Sequence, residues 1–136
     1  MISGKNTIKI PKKKKIIFKK KIGIKEVLNF SKLVGDKHKL HKDKNLSKKK
    51  GFKNIIVHGL FLSSYCSSLV FKYFGNNAII IKQKFTYHKP VYVNEKITIT
   101  SKINLIEKRF SIYEIKILIN VKNIIKSEGK IIIKII

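Results

Sequence analysis

The sequence predicts an α+β fold in which an antiparallel β-sheet wraps around one long central helix. Residues 60–74 form the one long apolar helical segment, and because they are apolar on almost every side, we expect this helix to be buried. Segments in which apolar and polar residues alternate follow the helix, as is typical of half-buried strands. We predict these strands at residues 78–85, 96–106, 109–121 and 131–136, with turns at 104–108 and 122–130.

The residues before the long helix predict a strand, a short helix and a polar loop. Residues 16–22 are predicted as a strand and residues 24–33 as an amphipathic helix that ends at Gly35. Residues 36–54 are predicted as an ordered loop with short helical turns, lying over the long helix. The inward-facing side chains of the short helix are expected to be Val27, Leu28, Phe30 and Leu33.

The length and cysteine content limit the domain organisation and the compartment. A chain of 136 residues can enclose one hydrophobic core, so we predict a basic arm at residues 1–15 and a single domain at residues 16–136. The single cysteine, Cys66, excludes an internal disulfide and a cysteine-based zinc cluster. No apolar run is long enough to span a bilayer. We therefore expect a cytoplasmic protein, or one of an organellar matrix if the source is an AT-rich eukaryote.

The formal net charge of +25 comes almost entirely from lysine, because Arg109 is the only arginine. Lysine, isoleucine and asparagine have AT-rich codons, and Ala78 is the only alanine, so the skew indicates genomic base composition. A nucleic-acid-binding protein would more often use arginine, whose planar fork contacts phosphates and guanine edges. Nucleic acid is therefore an unlikely partner on composition, although the charge should attract acidic partners in general.

A carboxylate, an imidazole and a helix-start glycine occur within 24 residues of one another. Asp36 and His41 are five residues apart, so they can converge on one substrate atom if the segment between them turns. Gly59 follows His58 at the predicted start of the long helix, where a bare backbone N–H can bind an oxyanion. The alternatives are that Asp36 only caps the loop and that Gly59 is needed only for close packing.

Three segments of the chain resemble motifs of the MaoC-like family of (R)-specific enoyl-CoA hydratases and 3-hydroxyacyl thioester dehydratases, which has the hot-dog fold. They are Gly-Asp-Lys-His-Lys-Leu-His at residues 35–41, Ile-Val-His-Gly-Leu at residues 56–60, and the strand entry around Pro-Val at residues 85–95. The resemblance runs from about residue 18 to the end of the chain. His38-Lys39 stands where the family has Asn-Pro, and Asn94-Glu95 where it has Gly-Asp.

The resemblance implies hydration of a trans-2-enoyl thioester, or the reverse dehydration of a (3R)-hydroxyacyl thioester, in fatty acid metabolism. Such a site needs a base, an acid and an oxyanion donor, and no metal. Asp36 and His41 would hold the water and exchange protons, and the Gly59 N–H would bind the thioester oxygen. Ser67 lies two helical turns after Gly59 and would support the aspartate by hydrogen bonding. No cofactor is implied beyond the coenzyme A or acyl-carrier phosphopantetheine that the substrate carries.

The remaining histidines have other predicted roles. His58 is expected to be structural, with its ring bonded to the backbone beneath the site. His38 could supply another donor or compete with His41. A metal site at His38, His41 and either Asp36 or Asp43 is the competing interpretation, but the spacing matches no familiar zinc pattern and the lysine-rich loop would repel a cation. We therefore predict no metal.

The predicted partners are an acyl-CoA or acyl-carrier-protein substrate and a second copy of the chain. Hot-dog proteins pair their sheets edge to edge, so we expect a homodimer. Residues 131–136 are too apolar for an exposed edge, so we expect a second face to cover them at a subunit interface.

Three alternative functions stay open. A hot-dog acyl thioesterase would also use a carboxylate and a helix-start N–H. A non-enzymatic nucleic-acid-binding protein would use the lysines at 12–15, 19–21 and 48–50 as phosphate contacts, but the aromatic residues lie inside apolar patterns rather than beside these runs. A family member that has lost its activity is the third.

Overall fold

A five-stranded antiparallel sheet packs against one long helix in the computed structural model, which describes residues 14–136. The predicted α+β hot-dog architecture is therefore confirmed, whereas residues 1–13 of the predicted basic arm lie outside the described residues. Among residues 14–136, no helix combines the length and the apolar character needed to cross a bilayer. The elements are β1 (Lys15–Lys21), α1 (Ile24–Val34), a 3-10 turn (Lys39–His41), α2 (Lys44–Lys49), α3 (Gly59–Phe74), a second 3-10 turn (Gly75–Asn77), β2 (Ala78–Tyr87), β3 (Lys96–Glu107), β4 (Ile112–Val121) and β5 (Ile124–Ile135).

The strands are ordered β1-β3-β4-β5-β2, and each pairs antiparallel with its neighbours. The strands β3, β4 and β5 follow one another as hairpins, whereas β1 and β2 form the two edges. A two-residue turn at Lys122 and Asn123 joins β4 to β5, with φ of 48° and 64°. Positive φ at both turn residues matches the right-handed twist of the paired strands. The predicted turn at 122–130 is therefore shorter than expected, and most of that segment belongs to β5.

The core lies between the inner face of the sheet and α3. Isoleucines at alternate positions of the central strands are fully or almost fully buried, as Ile99, Ile117 and Ile133 show. Their β-branched side chains suit a pleated surface packed on one face. Leu62 and Leu69 of α3 fill the space opposite them. The sheet thus fixes the position of α3, whose first turn carries part of the site described below.

Most of the apolar residues at 131–136 are covered within the chain itself and not at the subunit interface that we expected. β5 lies between β4 and β2, and Ile131 and Ile133 are completely buried against the core. The edge next to β5 is β2, where Ile80 and Ile81 are 37% and 50% exposed. The expectation was wrong because strand order depends on pairing between distant segments, which the local pattern does not record.

Helix α3 is buried on one side only. Leu60 and Phe71 are 60% and 64% exposed, so the expectation of burial on every side was wrong. Leu60, Ser67, Ile80 and Ile81 line an open groove between α3 and β2, which we call the α3–β2 groove. Contiguous exposed apolar surface of this kind marks an interaction site.

Helix α1 is amphipathic but packs through fewer residues than its pattern predicted. Val27 is fully buried and Phe30 is half-buried, whereas Leu28 and Leu33 are exposed. The helix is also held by polar contacts, because the Tyr65 hydroxyl of α3 donates to Glu26 at 2.9 Å. This contact fixes α1 against α3.

Candidate active site

The site is built from the loop after α1 and the first turn of α3. Gly35 ends α1 with a φ of 76°, a conformation that glycine adopts without strain, and thereby turns the chain towards Asp36. Two residues later the His38 N–H donates to Asp36 Oδ1 at 3.0 Å. The His38 ring in turn accepts the Leu40 N–H at 3.1 Å and so caps the 3-10 turn that carries His41. The loop is therefore ordered by local hydrogen bonds.

The carboxylate of Asp36 is half-buried and lies near two imidazoles. Its Oδ2 is 3.8 Å from His41 Nε2 and 4.0 Å from His58 Nε2. The hydrogen bond from the His38 N–H holds the pKa of Asp36 below its ordinary value, and the charges of the neighbouring histidines act in the same direction, against the opposing effect of desolvation. Asp36 is therefore ionised at neutral pH.

A backbone carbonyl determines the tautomer of His41. His41 Nδ1 lies 2.6 Å from Ile56 O, and because a carbonyl oxygen can only accept, Nδ1 carries the proton and donates it. In the neutral ring, Nε2 is then an acceptor that faces Asp36 Oδ2. Two acceptors 3.8 Å apart do not bond to each other, but one water molecule can donate an O–H to each of them.

The His58 ring lies beneath His41 and is buried. Their ring centroids are 3.7 Å apart, and the rings are inclined by 23°. Ser31 Oγ of α1 lies 2.8 Å from His58 Nε2, whereas His58 Nδ1 has no hydrogen-bond partner among residues 14–136. Burial, with a smaller effect of His41, lowers the pKa of His58 to about 4. His58 is therefore a neutral platform for His41.

The N–H of Gly59 begins α3 and precedes the first intrahelical bond, which runs from Leu62 N–H to His58 O. The N–H groups of a first helical turn have no partner inside the helix and point along its dipole, which favours anions. The Tyr87 ring covers the Gly59 Cα so closely that a Cβ there would lie 2.9 Å from three ring carbons. The structure thus supports both explanations of Gly59. Its N–H is a donor at the start of α3, and its lack of a side chain allows the Tyr87 ring to pack against it.

A family model described as the MaoC-like domain matches residues 7–122. The chain belongs to the MaoC-like domain family. The resemblance that we inferred from the motifs is thereby confirmed.

Curated relatives of this MaoC-like domain include an (R)-specific enoyl-CoA hydratase of Aeromonas caviae, which is 32% identical over 80 residues, or 58% of this chain and 60% of the relative. The mitochondrial 3-hydroxyacyl-[acyl-carrier-protein] dehydratase FERN of Solanum lycopersicum is 32% identical over 72 residues, or 53% of this chain and 43% of the relative. The chain thus spans about half the length of the curated relatives it matches.

Solved structures show the same fold. The (R)-hydratase from A. caviae involved in PHA biosynthesis superimposes with a TM-score of 0.84 at 24% identity, covering 95% of this chain and 98% of that one. An (R)-hydratase from Pseudomonas aeruginosa superimposes with a TM-score of 0.81 at 16% identity, covering 93% and 81%. These likenesses establish the hot-dog fold of the MaoC-like domain along nearly its whole length.

Two roles inferred from the family pattern differ in the structure. Ser67 lies on the exposed side of α3 and donates to Ser64 O at 2.8 Å, so within one chain it does not support Asp36. His58 bonds to the Ser31 side chain rather than to the backbone. Ser31 was not predicted as a site residue. Its position one helical turn after Val27 could have indicated that it lies on the buried face of α1.

His38 does not compete with His41 in this MaoC-like domain. Its ring is exposed, 6.0 Å from that of His41, and its Nδ1 is occupied by the Leu40 N–H. The main chain and ring of His38 instead order the loop in which the family pattern has Asn-Pro. Tyr87 is a further residue at the site that the sequence did not indicate, because it reaches Gly59 from the end of a distant strand.

A metal ion does not suit the arrangement, although Asp36, His41 and His58 each place one ligand atom within 4.8 Å of the others. The two imidazoles are stacked with their centroids 3.7 Å apart, and the lysine-rich loop beside them would repel a cation. His58 Nε2 is also within hydrogen-bond distance of Ser31. Asp43, the other carboxylate considered, caps α2 by accepting the Leu46 N–H at 3.0 Å.

The low pKa of His58 predicts a specific loss of stability on acidification. In the unfolded chain His58 titrates near 6.5, whereas in the fold it titrates near 4, so the unfolded state binds more protons between these values. The free energy of unfolding should therefore fall as the pH is lowered from 6.5 to 4.5. Urea unfolding at several pH values measures this slope.

The matched variants for this measurement are His58→Gln and His88→Gln. Asp36 and Glu26 titrate downward from ordinary pKa values of 3.8 and 4.5, so they add to this slope only at its acidic end. His58→Gln should flatten the slope whatever its effect on absolute stability, whereas the exposed His88 should be replaceable without effect. An unchanged slope in His58→Gln would contradict the buried neutral state.

Proposed function

We propose that this chain is a hydro-lyase that hydrates trans-2-enoyl thioesters to (3R)-hydroxyacyl thioesters, or catalyses the reverse dehydration. The observation that carries the proposal is the 3.8 Å separation of two acceptors, Asp36 Oδ2 and His41 Nε2, near the first turn of α3. The names of the curated relatives, an enoyl-CoA hydratase and a 3-hydroxyacyl-ACP dehydratase, support it.

The chemistry follows from the groups present. Asp36 and His41 each accept one O–H of a water molecule, whose oxygen attacks C3 of the enoyl thioester. One water proton passes to the Asp36–His41 pair, the other stays on the new C3 hydroxyl, and the pair returns a proton to C2. The thioester oxygen gains negative charge between these steps, and the Gly59 N–H at the start of α3 stabilises it. Water is thereby added across the double bond with all atoms balanced.

No cofactor is needed in this scheme beyond the pantetheine arm of the substrate. The excess of lysine favours substrates that carry negative charge, which includes both coenzyme A and an acidic acyl-carrier protein. Two of the curated relatives are named mitochondrial, so an organellar matrix is proposed beside the cytoplasm as the place of action.

We further propose that the functional unit is a homodimer in which a second copy covers the α3–β2 groove. The groove lies between an exposed edge strand and an exposed apolar helix face. A second chain can hydrogen-bond to such a strand and pack on such a face. Ser67 lies in this groove, so only a second copy could bring it to a catalytic centre. In this arrangement Ser67 regains the supporting role implied by the family pattern.

The dimer proposal predicts that Ile80→Asp yields an inactive monomer, because a charge at the β2 edge cannot be buried in an interface. Ile17→Asp is the matched control, since Ile17 is an exposed isoleucine on the opposite edge strand. Sedimentation velocity should show dimers for the wild type and for Ile17→Asp. A dimeric Ile80→Asp variant would contradict this assignment of the interface.

The activity is tested by mixing the purified chain with crotonyl-CoA, and with a longer trans-2-enoyl-CoA, and following the conjugated enoyl-thioester absorbance. We expect the absorbance to fall, with chiral analysis giving the (3R) product. A parallel assay for free thiol distinguishes hydration from thioester hydrolysis. Release of coenzyme A without formation of a hydroxyacyl product would overturn the proposal in favour of a thioesterase.

A further inference from the structure

The outer face of the sheet carries a row of five lysines, one from each strand. Lys15 of β1 is paired with Lys102 of β3, Lys102 with Lys116 of β4, Lys116 with Lys130 of β5, and Lys130 with Lys84 of β2. Residues paired directly across antiparallel strands point to the same face, so all five side chains lie on one line. All five are exposed. We call this line the lysine row.

The lysine row is unfavourable for folding. Like charges directly opposite each other destabilise a sheet, and this row contains four such pairs in succession. Codon bias explains why lysines are abundant, but it does not explain their alignment in register across every strand. Repulsion maintained in the folded state indicates a surface that a ligand of opposite charge neutralises.

Few acidic groups on the chain offset this charge. Lys116 is 3.9 Å from Glu114, whereas the other four lysines of the row form no ion pair within residues 14–136. The one further carboxylate at the row, that of Glu128, lies 3.5 Å from His88. Residues 1–13 contain no Asp or Glu. The positive charge of the row is thus available to an external partner.

The shape and lining of this surface favour a phosphate backbone over a protein partner. Four of the five lysines line an open cleft of about 580 Å³, together with Thr86, Thr100 and Gly129. The cleft lining includes no aromatic residue, whereas protein interfaces depend on buried aromatic or arginine anchors. Single-stranded nucleic acid also needs aromatic platforms for its bases. A duplex stacks its bases inside and carries its phosphates along the outside, and lysine suffices for contact with phosphate as a point charge.

We propose that the lysine row binds the phosphate backbone of duplex nucleic acid without sequence preference. Neighbouring strands lie about 4.8 Å apart, so the row spans about 19 Å, which is the axial length of about six base pairs of a duplex. Asp36 and His41 belong to the loop after α1 and are not part of the row, so this binding can be tested separately from the proposed hydration. The nucleic acid would engage the outer face of the sheet and leave the α3–β2 groove to the second copy of the chain.

The test uses fluorescence anisotropy of a labelled 20-base-pair DNA duplex of arbitrary sequence, titrated at several salt concentrations. In one variant the five row lysines are changed to Gln. In the matched variant five exposed lysines on and after α2, which are Lys44, Lys48, Lys49, Lys50 and Lys53, are changed to Gln, so both variants lose equal charge. Unlabelled polyglutamate serves as a carboxylate competitor.

We expect the row variant to lose at least about 10-fold in affinity near 0.15 M salt, and its salt slope, log K against log salt, to become shallower by up to about 4. The α2 variant should keep nearly the wild-type slope. Equal losses in both variants would mean that net charge alone attracts DNA and would overturn the proposal, as would a larger loss in the α2 variant. Displacement of DNA by equimolar polyglutamate would identify an acidic protein as the partner instead. Both variants should retain hydration activity, so this result is separable from that of the enzyme assay.

Discussion

Replacing Asp36 with Asn is expected to lower kcat for hydration of a trans-2-enoyl thioester by about 10²- to 10⁴-fold. The amide can still accept the His38 N–H, so the loop should keep its conformation. It cannot take a proton from water, however, and its NH₂ group cannot act as the second acceptor opposite His41 Nε2. The rate of absorbance loss at saturating substrate measures the effect, and the thermal unfolding midpoint reports on the fold.

Asp43→Asn provides the matched control for this substitution. Asp43 lies in the same loop and its Oδ1 also accepts a backbone N–H at 3.0 Å, that of Leu46, but it is outside the pair proposed to hold the water. An asparagine is as good a helix cap as an aspartate, so both stability and kcat should stay close to those of the wild type. Near-normal turnover by Asp36→Asn would contradict the proposed role of the carboxylate.

Replacing Gly59 with Ala is expected to reduce kcat by about 10²- to 10³-fold, the range found when one oxyanion donor is lost. The new Cβ would lie 2.9 Å from three carbons of the Tyr87 ring, which is closer than real contacts allow. Either the ring or the first turn of α3 must shift, and a shift of the helix start displaces the N–H that we propose to bind the thioester oxygen. KM for the substrate should change less than kcat, because the donor acts chiefly in the transition state.

The double variant Gly59→Ala with Tyr87→Ala tests whether steric conflict causes this loss. Removing the Tyr87 ring opens the space that the Cβ needs, so Gly59→Ala should cost much less in the Tyr87→Ala background. An equal cost in both backgrounds would show that the ring is not responsible. Full activity of Gly59→Ala itself would contradict the assignment of this N–H as a tightly positioned donor.

The sequence predicted the elements of the fold better than their arrangement. The long helix and the strands were recognisable because their apolar residues recur with local periods of 3.6 and 2. Which strand lies at the edge depends instead on pairing between distant segments. For that reason we expected a subunit interface to cover Ile131 and Ile133, whereas β5 lies inside the sheet and both side chains are buried within the chain.

The site shows the same division between local and distant information. Asp36, His41 and Gly59 could be selected because they lie in short motifs, and the structure brings Asp36 and His41 together. Ser31 and Tyr87 come from α1 and from the end of β2, so only the folded chain brings them to His58 and Gly59. The exposed position of Ser67 could not be inferred from its helical spacing, because that spacing gives a face of α3 but not what covers it.

The acceptor that orients the His41 ring is a main-chain atom, the carbonyl oxygen of Ile56. No side-chain substitution at position 56 removes a carbonyl oxygen, so the tautomer of the imidazole is insensitive to mutation there. Substitutions in the loop, such as His38-Lys39 where the family pattern has Asn-Pro, can therefore leave the orientation of the ring unchanged. Divergent members of the family are then better recognised by the backbone path beside the residue equivalent to His41 than by the residue types in the loop.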